Sequence, residues 1–400
     1  MKPYTFTIDE SDIEDLRHRL ANTRWPDQLP GVEGWSKGVP VEEARNWAEE
    51  LTDFDWQALK DELDGVPQFV TKLDGESIHL VHVRSARADA IPLLILHGWP
   101  GTVVDLIDLI DPLAAPPSLD DPAFHVVIPS HPGTGLSGPT TQSGWGVDRT
   151  ARAYAALMAE LGYHDYVVQG GDHGAVLAPH LGRVDPDHVR GIHVNAATIG
   201  FIPTGPVDEQ TLAQLSPVEQ RRLAAIGTFL TDGNGYNVIQ ATRPQTIGYG
   251  LEDSPAALLT WIVEKVHAWT HSPATLADRK YRQRHLANVL LFWLTRTATS
   301  TANNVYAEYS GLFTDPNSFT NSGVPTAVIA FAEDPPIRRY AEHTNTIVRW
   351  TDVEDGGHFA ALEQPDQLIT DLRSFVIELT PRVLLATPST LLPVEKFADG

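Results

Sequence analysis

The stretch Gln169-Gly170-Gly171-Asp172-His173-Gly174 constrains this chain more than any other. Tyr166-Val167-Val168 before it reads as a short buried strand, and Ala175-Val176-Leu177-Ala178-Pro179-His180-Leu181 after it reads as the opening of a helix. A strand that turns directly into a helix bends too tightly to admit a Cβ two positions before or after the apex, which is why small residues flank Asp172. Such a turn presents its apical side chain as a nucleophile. Taken alone, the pentapeptide fits equally well a strand-to-helix loop whose Asp caps the helix.

Composition narrows the surroundings. Four hundred residues, 42% of them hydrophobic, can bury the core of one elaborated domain or of two. No stretch approaches the ~18 apolar residues of a membrane span, and Met1-Lys2-Pro3-Tyr4-Thr5 begins no signal-peptide apolar region, so the expectation is a soluble, cytoplasmic protein without a membrane partner. A net charge of -23, from 52 acidic against 29 basic residues, excludes nucleic acid as the expected partner. The absence of Cys removes disulfides and a thiolate nucleophile, and no Cys/His cluster suggests a metal.

Along the chain, residues 1–66 read as a helical meander. Ile13, Leu16 and Leu20 share one helical face, Trp47, Leu51, Trp56, Leu59 and Leu63 repeat the pattern over 41–63, and an irregular Gly- and Trp-rich segment joins the two. Strand patterns then occupy 67–199: Phe69–Leu73, Ile78–Val83, the apolar run Ile91–Leu96, Phe124–Pro129, and Val189–Ala196, with a helix over 150–161 closed by Gly162. From 200 to 324 the signals are helical, with a capping box at Ser216-Pro217-Val218-Glu219 and a start at Ser254-Pro255. Strands resume over 325–380 with Pro325–Phe331 and Asn345–Trp350, followed by a last helix from about Pro365 to Leu379; 381–400 is a tail without a period. The fold class is therefore α/β: a mostly parallel central sheet flanked by helices, a helical lid inserted late, and an N-terminal helical meander.

In that order of elements, Asp172 sits at the carboxyl end of a strand, on the nucleophile elbow of an α/β-hydrolase. An acid follows a late strand, Glu333 or Asp334, and His358 follows the final strand in Asp355-Gly356-Gly357-His358-Phe359. Nucleophile, acid, histidine is the chain order of this fold. His358 is the candidate general base. The His97-Gly98-Trp99-Pro100-Gly101 turn after the central strand offers one backbone N–H of an oxyanion hole, at Trp99, and the residue after the nucleophile, His173, offers the second.

The chain resembles epoxide hydrolases of the microsomal and juvenile-hormone type over nearly its whole length. Thr23-Arg24-Trp25-Pro26-Asp27 and Gly34-Trp35 are similar to that family's N-terminal meander; His97-Gly98-Trp99-Pro100-Gly101, Gly170-Gly171-Asp172, Gln240-Ala241-Thr242-Arg243-Pro244-Gln245-Thr246 and Gly356-Gly357-His358-Phe359-Ala360 are similar to its internal motifs. The resemblance implies Asp172 as nucleophile, His358 as base, Asp334 as the orienting acid, and two lid tyrosines, Tyr236 and Tyr306, as ring-opening acids; Tyr309, one helical turn from Tyr306 on nearly the same face, is the alternative to it. It also implies a small hydrophobic epoxide as ligand and no cofactor, and it leaves open a homodimer. Two positions depart from the family pattern: His173 stands where Trp is usual and Ala332 where Pro is usual. A carboxylate suits epoxide opening because it is ionised at neutral pH without a base. A haloalkane dehalogenase also uses Asp but needs neither the meander nor paired tyrosines, and a relative using a nucleophile other than water has His173 as its one sequence hint.

Overall fold

The computed structural model describes residues 1–383; the expected tail, 381–400, lies outside them except for the end of the last helix. Nine strands form one sheet: β1 (Lys2–Pro3), β2 (Gln68–Leu73), β3 (Glu76–Val83), β4 (Ile91–Leu96), β5 (Phe124–Pro129), β6 (Tyr166–Gly171), β7 (Val189–Asn195), β8 (Pro325–Ala330) and β9 (Thr346–Asp352). Their spatial order is β1-β2-β3-β5-β4-β6-β7-β8-β9, antiparallel from β1 to β5 and parallel from β5 through β9. β2 and β3 form a hairpin across Asp74-Gly75, both with positive φ, the two-residue turn that matches strand twist. β4 and β6 lie at the centre, covered on both faces, which is why Leu93, Leu94, Val167 and Val168 are all fully buried and show no polar alternation.

The second meander helix is two. Val41–Thr52 ends at Asp53, and Asp55 caps Trp56–Asp64 by accepting the Ala58 N–H at 3.0 Å. These helices and Glu10–Ala21 do not rest on the sheet alone. Leu16, Trp47 and Leu51 share one buried cluster with Leu258, Leu259 and Ile262 of helix Pro255–Trp269 and with Leu286 and Leu290 of helix Arg279–Thr295. Charged pairs fix the same seam: Arg284 pairs with Glu62 at 2.6 Å, and Arg282 pairs with Glu50 while its guanidinium lies 3.6 Å over the Trp47 ring. Every element between β7 and β8 is helical, but these two helices are clamped by the meander. Of the remainder, Gly235–Thr242 and Ala298–Leu312 reach the carboxyl ends of the strands, through Tyr236 on Trp99 and Glu308 on His173, and Pro244–Asp253 packs on both of these helices. Among the described residues no helix is long and apolar enough to cross a membrane.

Candidate active site

Asp172 stands between β6 and helix His173–Val184 with φ 55° and ψ -116°, a backbone conformation that a non-glycine residue rarely adopts. Its neighbours permit it by lacking side chains. A Cβ at Gly170 would lie 2.3 Å from the Gly174 carbonyl oxygen, and one at Gly174 would lie 2.3 Å from that of Leu96. The turn after β4 meets the elbow directly: the Trp99 N–H donates to Asp172 Oδ1 at 2.9 Å. His173 N–H makes no hydrogen bond to that carboxylate among the described residues, so one of the two expected oxyanion donors is engaged.

The other carboxylate oxygen, Oδ2, lies 3.6 Å from His358 Nε2. Burial lowers the His358 pKa, opposed by the Asp172 charge and by hydrogen bonding to the Trp99 backbone, so the ring is held in its neutral, proton-accepting form. Its loop is fixed through the backbone. Glu363 accepts the N–H groups of Gly357 and Phe359, each at 3.1 Å, and of His271 at 3.0 Å, while the His358 N–H donates to the Trp269 carbonyl at 3.0 Å. Three consecutive N–H groups around the imidazole are thus anchored, and the Trp269 ring lies 4.7 Å from it. Glu363 and Trp269 were not among the sequence candidates. The signal for Glu363 was an acid immediately before the Gln364-Pro365 helix start, five residues after the His.

Of the two candidate acids, Glu333 is at the surface, paired with His271 Nδ1 at 2.8 Å. Asp334 is buried, and its Oδ2 accepts the Ala196 and Phe331 N–H groups at 3.0 and 3.1 Å. Burial pushes its pKa up to about 7, against those two donors and the Arg222 charge. No hydrogen bond joins Asp334 to His358 among the described residues; its carboxylate is spent on bracing the ends of β7 and β8.

The helices between β7 and β8 bring aromatics over the Asp172 elbow. Tyr236, on helix Gly235–Thr242, stacks on Trp99 with ring centres 5.0 Å apart and planes 8° apart, and meets Trp269 edge-on at 5.5 Å. Burial raises its phenol pKa well above the ordinary value, and the charges of Asp172, Glu264 and Glu308 add to this. Of the two neighbouring tyrosines on helix Ala298–Leu312, Tyr309 is the more buried and lies beside Tyr236 through Asn237. Tyr309 also has its pKa raised by burial and by Glu308 and Asp172, and it accepts a hydrogen bond from Asn237, next to Tyr236. Tyr306 is 48% exposed. On helix Ala298–Leu312 the buried face runs through Thr301, Glu308 and Leu312; Tyr309 borders it, and Tyr306 lies ~60° further round, toward solvent.

The His173 departure also acquires a partner. Its Nδ1 pairs with buried Glu308 Oε2 at 2.6 Å, tying the elbow to helix Ala298–Leu312. Burial acts to lower the His173 pKa, but Glu308 outweighs it, and with Asp172 adding, the value is raised. Asp172 and His358 also border a cavity of about 60 Å³, lined further by Trp99, Asp105, Gln169 and Asn195. Among the described residues no group of three or more His, Cys, Asp or Glu is arranged to hold a metal ion.

The chain that carries this arrangement is similar to a defined set of proteins. The family profile described as epoxide hydrolase N terminus matches residues 1–106, and that described as alpha/beta hydrolase fold matches residues 91–365. A Stigmatella aurantiaca (strain DW4/3-1) protein named for the same family is 39% identical over 93% of this chain and 83% of its own length. The chain belongs to the epoxide hydrolases. Like other members of that family it is a hydrolase acting on epoxides. The epoxide hydrolase structure from Aspergillus niger superimposes with a TM-score of 0.80 at 32% identity, covering 94% of this chain and 96% of that one. The juvenile hormone epoxide hydrolase of the silkworm Bombyx mori superimposes with a TM-score of 0.83 at 27% identity, covering 95% of each chain. Epoxide hydrolases thus share with this chain the meander as well as the sheet.

Proposed function

We propose that this enzyme converts a small hydrophobic epoxide to a vicinal diol through an ester on Asp172. The observation that carries the reading is the division of the Asp172 carboxylate: the Trp99 N–H holds Oδ1, and Oδ2 lies 3.6 Å from the His358 imidazole, with Tyr236 stacked on Trp99 above. In the first step a carboxylate oxygen attacks an epoxide carbon, the ring C–O bond breaks, and a phenol, Tyr236 or Tyr309, supplies the proton that the departing alkoxide requires. In the second, neutral His358 takes a proton from water as that water attacks the ester carbonyl. The Trp99 N–H then stabilises the oxyanion, a task in which the His173 N–H at the helix start can join as charge develops. The cavity bordering both carboxylate and imidazole has room for several waters, since each needs ~10–15 Å³ of such space. Aromatic walls from Trp99, Tyr236 and Trp269 favour an apolar substrate. Asp334 supports the base through the loops at the strand ends.

The test is a single turnover in ¹⁸O-labelled water. Hydrolysis at the ester carbonyl leaves label in the peptide containing Asp172, whereas direct attack of water on the epoxide leaves all label in the diol and would end this reading.

A further inference from the structure

Helix Pro255–Trp269 turns one of its charges inward. Lys265 is only 4% exposed, which a lysine tolerates only with compensation. Part of that compensation is the Glu264 carboxylate, with which its ammonium is paired. The rest is aromatic: Nζ stands 4.3 Å from the centre of the Tyr236 ring and 6.0 Å from that of Trp269. The charged groups that raise the Tyr236 pKa are acidic, namely Asp172, Glu264 and Glu308, with Tyr309 beside them. Those groups all oppose loss of the phenol proton, yet an acid must lose its proton to do its work. Among the described residues, Lys265 is the cation set over this ring.

We infer that Lys265 is a positioning residue acting through Tyr236, its ammonium stabilising the phenolate left when Tyr236 protonates the opening epoxide. This rests on the reading of Tyr236 as an acid given above. As the bond from Asp172 to the epoxide carbon forms, the ring C–O electron pair passes to oxygen, which takes the Tyr236 proton. The phenolate charge appears beneath the ammonium and is discharged when the proton released by the hydrolytic water through His358 returns to the site. Epoxide and water are consumed, a diol is formed, and no other reactant is needed. Packing alone would account for the buried stem of Lys265; it would not require the charge to sit over the one lid ring that is itself stacked on Trp99.

The experiment measures single-turnover rates of ester formation and of ester hydrolysis for wild type, Lys265→Met, Lys265→Arg, Tyr236→Phe and the Lys265→Met/Tyr236→Phe double variant. Lys265→Met should slow ester formation about tenfold, the effect of a shift of about one unit in acid strength, and leave hydrolysis of the ester unchanged. Lys265→Arg should retain most of the rate. In the Tyr236→Phe background the Lys265→Met effect should vanish. A fluorotyrosine of lower intrinsic pKa at position 236 should restore ester formation in Lys265→Met, a rescue that a packing role does not provide. If Tyr236→Phe slows ester formation but Lys265→Met costs the same factor with or without the phenol, the role assigned to Lys265 is wrong while the acid stands. If Tyr236→Phe leaves ester formation unchanged, the acid assignment falls first and takes this inference with it. Loss of both steps together in Lys265→Met, without fluorotyrosine rescue, also overturns it.

Discussion

The sharpest disagreement between motif and geometry concerns the second lid phenol, and a pair of conservative substitutions separates them. Tyr306→Phe removes a hydroxyl from a side chain that is 48% exposed; surface changes of this kind stay within about 0.5 kcal/mol. The Ser310 hydroxyl bonds to the Tyr306 backbone carbonyl, so that contact survives. Tyr309→Phe removes the acceptor for Asn237, costing about 1 kcal/mol of stability, though Asn237 retains its bond to the Asn234 side chain at 3.1 Å. On the mechanism proposed above it also removes one of the two candidate acids. General-acid loss is worth ~10²-fold, or about 2.7 kcal/mol in the barrier at 1.36 kcal/mol per factor of ten, with Tyr236 left to carry the proton transfer. Ester formation, followed by tryptophan fluorescence in a stopped-flow single turnover, should therefore slow about 10²-fold in Tyr309→Phe and change less than twofold in Tyr306→Phe. The reverse ordering would refute the geometric assignment. It would mean that helix Ala298–Leu312 turns by ~60° in the working enzyme and that the position matched by family resemblance carries the acid.

His358→Gln should still form the ester but not hydrolyse it, so an intact-mass increase equal to the substrate should accumulate; a variant that consumes less than one equivalent of epoxide would contradict the assignment of the base to the second step. Because burial lowers the His358 pKa from its ordinary 6.5, the neutral base persists to lower pH, and the acid limb of ester hydrolysis should fall below pH 6.5, a point that single-turnover hydrolysis rates across pH 4–8 will decide. Gly174→Ala would drive a Cβ to 2.3 Å from the Leu96 carbonyl oxygen, a backbone atom that cannot step aside; overpacking of this kind costs about 1–3 kcal/mol or more, so the thermal midpoint should drop markedly, and an unchanged midpoint would count against the crowded elbow.

How much of this was legible beforehand depends on which physical constraint writes a feature into sequence. The elbow was legible because sterics leave no choice at Gly170 and Gly174, and the strands because β4 and β6 are covered on both faces and read as unbroken apolar runs. The neighbourhood of Asp172 and His358 followed from the order of elements, since a parallel sheet brings its strand ends to one edge. What escaped was rotational phase and partner choice. Helix Ala298–Leu312 packs on the elbow, on helix Val147–Glu160 and on two lid helices at once, and its buried face mixes Ala298, Ala302 and Leu312 with Ser300, Thr301 and Glu308, so the sequence leaves Tyr306 and Tyr309 as neighbours and does not decide which turns inward. The split at Asp53–Asp55 was hidden because the apolar spacing of Trp47, Leu51, Leu59 and Leu63 continues across it.

Partner choice was least visible of all, because a carboxylate in sequence carries no mark of what it will bind. Four acids at this site do four different things. Asp172 is held by one backbone N–H and left open toward the imidazole and the lid; Asp334 accepts two N–H groups at the strand ends; Glu363 accepts three around the His358 loop; and Glu308 pairs with the imidazole that replaces the usual Trp. The difference lies in hydrogen-bond saturation. A carboxylate that accepts several backbone donors is fixed in place and has lone pairs committed, which suits a brace, whereas a nucleophile needs an oxygen left free to attack. Of the four, Asp172 alone stands at the apex of the elbow, and its strained φ is the cost of holding its carboxylate there with Oδ2 left free of backbone donors. The same reasoning accounts for His at 173 where the family usually has Trp: its imidazole pairs with Glu308, and the backbone N–H of residue 173 stays at the helix start after Asp172 whichever side chain follows it.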